Sequence, residues 1–153
     1  MSVYNEQLQK IVTHYIEAGE EWPATARQIA AWAVSKGLWA PHPSSLVNQC
    51  AEDIAQAMRE EYIVDPQGRK VRAKHAARVE QGVLWADIRT APRDHMGIAF
   101  KQRRRQILGD CRQLKDDVDS FNQNRSSAEP IQMSFDFTKD LLEIEALAAL
   151  TAA

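Results

Sequence analysis

The sequence predicts a mainly α-helical chain with a small antiparallel β-hairpin, then one long helix and a C-terminal strand/helix tail. Three observations predict it. Apolar residues recur at helical spacing in three stretches before residue 60. Residues 70–79 alternate in the period-2 manner of a strand, between two turn signals. Phe100, Ile107, Cys111, Leu114, Val118 and Phe121 then recur at spacings of 7, 4, 3, 4 and 3, the rhythm of a coiled-coil seam. Three segments follow from this reading: a domain over 5–90, a long helix over 91–124 that pairs in a dimer, and a linker with an acidic and apolar tail over 125–153.

The first helix, over 5–18, presents Leu8, Ile11, Val12, Tyr15 and Ile16 on one face and is closed by Gly19. Thr25 and Gln28 then have capping-box spacing. The helix they open is expected to bury Ile29, Ala30, Trp32 and Ala33 and to stop at Gly37. Pro41, His42, Pro43 and Ser44 open a third helix with the stripe Leu46, Val47, Cys50, Ile54, Ala57 and Met58. Tyr62-Ile63-Val64 is β-prone, and Asp65-Pro66-Gln67-Gly68 signals a turn.

Along 70–79, Val71, Ala73, His75, Ala77 and Val79 are expected on one side. Lys70, Arg72, Lys74, Ala76 and Arg78 take the other. Glu80-Gln81-Gly82 is a second turn, and Val83 to Ile88 a further strand around Trp85. Thr90-Ala91-Pro92 starts the long helix, which runs to about Asn124 and would be about 50 Å long. Such a rod needs a partner helix, in this chain or a second copy. Phe100, Ile107, Leu114, Val118 and Phe121 are the residues to make that contact. Residues 122–130 read as a linker. Ile131 to Phe137 alternate, and Thr138 caps a last helix bearing Leu141, Leu142, Ile144, Leu147 and Leu150.

Charge is distributed unevenly. The 153 residues carry a formal net charge of −2. Residues 1–65 hold 4 basic and 9 acidic side chains, residues 66–105 hold 11 and 3, and residues 106–153 hold 4 and 9. The central block therefore needs an anionic partner or the chain's own acids. Lys70, Arg72 and Lys74, about 6.6 Å apart at alternate strand positions, suit a row of phosphates, and the basic run continues through Arg78. Edge strands also carry such residues to prevent edge-to-edge pairing. The cluster Lys101, Arg103, Arg104 and Arg105 either extends this basic surface or pairs across a dimer with Asp110, Asp116, Asp117 and Asp119. Pairing is favoured slightly.

Three short helices followed by a basic hairpin resemble the winged helix-turn-helix family. The likeness covers 5–90, through the segment Thr25 to Trp39, the helix Ser44 to Glu61 and the hairpin. It implies double-stranded DNA as a partner, with the third helix in the major groove, and regulation of transcription as the employment. Asn48 and Gln49 on that helix have amides that match adenine. Glu52 and Asp53 beside them would repel phosphates. The alternative is an interaction module without nucleic acid, gripping a protein through the long helix and tail.

Gln132-Met133-Ser134-Phe135-Asp136-Phe137 resembles the peptides that dock on the bacterial sliding clamp. Gln132, Met133, Phe135 and Phe137 fit the spacing, although Leu is more usual at Met133 and Phe135. A strand or apolar strap returning onto the domain is the other reading.

Catalytic motifs are not found. His14, His42, His75 and His95 lack metal-ligand spacing, and no phosphate-cradling loop or nucleophile elbow occurs. No enzyme, cofactor or metal is expected. Cys50 and Cys111 form no CxxC. MSVYNEQLQK has no secretory pattern, and no apolar run approaches membrane-spanning length, so a cytoplasmic location is expected.

Overall fold

The computed structural model describes residues 3–42, 45–125 and 129–152. Pro43, Ser44 and residues 126–128, which the sequence places at the third helix's opening and in the linker, lie outside them. The chain divides into two compact units, residues 1–56 and 57–153. No helix among the described residues is long and apolar enough to cross a membrane.

The first unit contains α1 (Val3–Glu17), α2 (Ala26–Ser35) and most of α3 (Leu46–Arg59). Helix α1 ends where Gly19 adopts a φ of 76°. The Tyr15 ring meets Trp32 edge-on at 5.4 Å, and its hydroxyl donates to the Glu21 carbonyl at 2.8 Å. The capping box forms as the sequence predicts: Thr25 Oγ1 accepts from Gln28 N, and Gln28 Oε1 accepts from Thr25 N. At the far end Gly37 N–H donates to Val34 and Leu38 N–H to Ala33, a Schellman closure. Ala33 is buried and Ile29 and Trp32 half-buried, whereas Ala30 is exposed. Apolar residues of α3 face solvent, with Leu46, Val47 and Ile54 all more than half exposed.

The second unit is built on two consecutive antiparallel ribbons. β1 (Tyr62–Val64) pairs with β2 (Lys70–Arg72), and β3 (Lys74–Val79) pairs with β4 (Gly82–Asp87). Asp65 closes the first turn, where Oδ1 accepts from Gln67 N and Arg69 N. Gly82, at a φ of 123°, closes the second. The single strand expected over 70–79 is therefore broken at Ala73. That residue is wholly buried; its N–H donates to the Glu61 carbonyl and its carbonyl accepts from Ile88 N. The inward set nonetheless survives the break. Ala73, His75 and Ala77 are buried, and Val71 and Val79 half-buried.

Helix α4 (Arg93–Asn124) packs against β3 with its first turns. Ala99 is buried there. His95 Nε2 donates to the His75 carbonyl at 2.9 Å, and the Phe100 ring lies edge-on to His75 at 5.4 Å. Further along, Arg112–Asp116 and Lys115–Asp119 pair within the helix at i, i+4. Residues 129–137 follow as an irregular segment without strand pairing. Asn122 anchors this segment: its amide donates to the Ile131 carbonyl at 2.8 Å and accepts from Ile131 N at 3.0 Å. Helix α5 (Thr138–Ala152) begins where Asp136 accepts from Thr138 N, so Asp136 supplies the cap expected of Thr138.

Candidate nucleic-acid interface

A cleft of about 390 Å³ opens where β3 and β4 meet α4. Its lining brings together five arginines, Arg59, Arg72, Arg78, Arg103 and Arg105, and no carboxylate among the described residues. Three elements besides the ribbon position them. Arg59 ends α3, Arg72 ends β2, and Arg103 and Arg105 lie on α4. Besides the His95 and Phe100 contacts with His75, Gln102 links the helix to the strand. Gln102 Oε1 accepts from Arg78 N at 2.7 Å, and its Nε2 donates to the Arg78 carbonyl at 2.8 Å. A single amide thus substitutes for a neighbouring strand at this peptide.

Like charges crowd the cleft. Burial pushes the Arg103 guanidinium down from its ordinary value, and the Arg72 charge adds to the effect. Burial also pushes His75 down; the Arg72 carbonyl, bonded to Nε2 at 2.9 Å, opposes this, while Arg103, Arg72 and His95 reinforce it. That bond places the proton of the neutral ring on Nε2, since a carbonyl can only accept. His75 therefore sits beneath the arginines as a neutral group at neutral pH.

The four cations expected to form one row are shared between two ribbons, because the strand breaks at Ala73. Lys70 lies 4.7 Å from the Tyr62 ring centroid in the first ribbon. Lys74 bridges Glu61 at 2.9 Å and Asp87 at 3.1 Å. Its ammonium is pushed up by the Glu61 bond first and the Asp87 bond second. Asp87 is also clamped by Arg89 at 2.7 Å, which holds its carboxyl well below the usual range, with the Lys74 bond adding to it. Of the expected four, Arg72, Lys74 and Arg78 line the cleft and Lys70 does not, and Lys74 is already paired with carboxylates. Asn48 and Gln49 are exposed on α3, within the first unit.

Sequence reasoning left the cluster 101–105 closer to dimer pairing than to the basic surface. Arg103 and Arg105 line the cleft, and Asp116 and Asp119 bond within their own helix. The residues missed were Arg59 and Trp85. Arg59 holds its guanidinium 5.8 Å from the Trp85 ring centroid. A signal for Trp85 existed: counting back from the turn at Gly82 sets it opposite the small Ala76.

The seam of α4 has several environments. Phe100 touches His75, Val118 lies beside the returning segment, and Ile107 and Leu114 stay about half exposed, as does Phe121. Gln132, Met133 and Phe135 run along α4 near Lys115 and Asp119. Phe137 is 44% exposed at the segment's end. No metal-holding group of side chains occurs among the described residues. Comparison with family models, curated proteins and solved structures finds no match, so the reading of the site stands on its own residues.

Proposed function

We propose that this chain binds nucleic acid, gripping phosphates in the arginine cleft between the β3–β4 ribbon and α4. One observation carries the reading: five arginines from four elements converge on a concavity that no described carboxylate lines. Guanidinium groups form paired hydrogen bonds with phosphate oxygens, and a polyanion relieves the repulsion among them. A winged-helix-like DNA-binding factor, acting in transcription or as an accessory protein, remains the form this function takes in the proposal. The element order over 5–90 supports it.

The test is fluorescence anisotropy with random-sequence DNA, duplex and single-stranded, at 50 and 200 mM salt. Binding that weakens steeply with salt is expected. Absence of binding to both forms at low salt overturns the proposal.

A different observation favours a second reading, a non-enzymatic interaction module. Ile107 and Leu114 on α4 are 54% and 43% exposed, and Met133 and Phe137 of the irregular segment 53% and 44%. A second copy or another protein would cover such a surface.

A further inference from the structure

Phosphate binding alone makes no use of one large group in the cleft. Trp85 stands in its wall among the arginines, half-buried. Its partner across the ribbon is Ala76, whose side chain ends at Cβ and cannot reach over the indole. The Arg59 guanidinium lies 5.8 Å from the ring centroid. Gln106, from α4, lines the same space with an amide that both donates and accepts.

We infer that Trp85 is a stacking platform for an unpaired nucleobase, and that the cleft's ligand is single-stranded nucleic acid. The inference rests on the nucleic-acid reading above and specifies the ligand's form. An aromatic face beside a basic track is what a single strand needs: the ring takes a base, and the cations take the flanking phosphates. Arg59 adds a cation–π component at the same ring. A duplex keeps its base faces stacked inside, so it can offer this cleft phosphates but nothing for Trp85 to cover. The volume agrees, since about 390 Å³ lies within the range of small-ligand sites. Every base has a π-face, so binding should tolerate sequence. The acids Glu52 and Asp53 on exposed positions of α3 do not favour phosphates at that helix.

The experiment uses the full chain with a fluorescein-labelled dT15 strand and a mixed-sequence 15-base-pair duplex. Wild type is compared with Trp85→Ala and Trp85→Phe. The strand should bind more tightly than the duplex. Trp85→Ala should weaken strand binding about thirtyfold, the middle of the stacking range, and leave duplex binding unchanged. Trp85→Phe retains a ring and should stay within about threefold of wild type. Unlabelled dT15 should quench wild-type tryptophan fluorescence, and Trp85→Phe should abolish the quench while keeping affinity.

If both DNA forms bind and Trp85→Ala weakens neither, the stacking inference is overturned and the nucleic-acid reading stands. If neither form binds at low salt, both fall. Should Trp85→Ala lose its fold, the phenylalanine variant decides: a persisting quench overturns the inference, and a lost quench with kept affinity supports it.

Discussion

Replacing Arg103 and Arg105 together with alanine tests the division of cations within the basic block. Both line the cleft without a carboxylate partner among the described contacts. Each phosphate neutralised on a single strand contributes about 0.7 to the slope of log K against log salt. Losing two such contacts should lower the slope by about 1.4. Over the fourfold change from 50 to 200 mM, that is about a sevenfold smaller loss of affinity than wild type shows. Anisotropy titrations at four or five salt concentrations measure the slope directly.

Lys74→Ala is the matched control, because it also removes one positive charge from the cleft lining. Its ammonium is already held by Glu61 at 2.9 Å and Asp87 at 3.1 Å. A neutralised cation releases no further counterions, so the slope should stay near wild type. The variant should instead lower the melting temperature, since it leaves those carboxylates without their shared partner. The reasoning is refuted if Lys74→Ala takes about 0.7 off the slope while the double arginine variant leaves it unchanged.

Two further outcomes concern stability. Gln102→Ala removes both hydrogen bonds to the Arg78 peptide and should cost roughly 1–2 kcal/mol, lowering Tm by about 2–8 °C; Gln102→Glu, which can accept but not donate, should fall between. Equal melting of all three proteins would remove Gln102 as the link between helix and strand. His75 sets a pH dependence. Its folded value lies below the unfolded one, so the unfolded chain takes the proton first as pH falls. Stability present above about pH 6.5 is therefore lost as pH drops through the folded value, and His75→Gln should flatten Tm between pH 7 and 5. Asp65 and Asp87 are both lowered and lose their contribution only below about pH 4, so the two windows separate. A wild-type Tm that rises from pH 7 to 5 contradicts the assignment.

Local rules made much of the fold legible. The capping box at Thr25 and Gln28, the turn at Asp65 and the inward set from Val71 to Val79 all depend on residues a few positions apart. The break at Ala73 was not legible, because period-2 alternation continues unchanged through it. What interrupts the strand is distant: Glu61 and Ile88 claim its two backbone groups. Ala73 has the small side chain that this buried crossing needs. The same limit applied to the site. Lys74 and Arg78 look equivalent in a strand face, and only the register Lys74↔Asp87 separates them. That register follows from the two-residue turn before Gly82, so the pairing was within reach of the sequence. The approach of Arg59 to Trp85 was not, since nothing local links the end of α3 to the middle of β4.

The basic block therefore contains two populations whose formal charges are alike. Arg69 with Asp65, Lys74 with Glu61 and Asp87, and Arg89 with Asp87 form pairs that fix turns and strand ends. In each pair the two opposite charges lie within about 3 Å of one another, so their fields largely cancel at a distance. The second population, Arg72, Arg78, Arg103 and Arg105, lines a shared concavity, and Arg59 joins it from a segment that is acidic on average. Convergence matters more than count here, because low-dielectric walls focus the potential of neighbouring like charges. The acidic C-terminal segment does not cancel that potential through its described pairs, as Asp116 and Asp119 bond within their own helix. A net charge of −2 is thus compatible with a strongly cationic cleft. The proposed ligand has to bring phosphates to the arginines that line about 390 Å³ and a base face to Trp85. Under the proposal a flexible single strand supplies both, whereas a duplex supplies phosphates but no free base face.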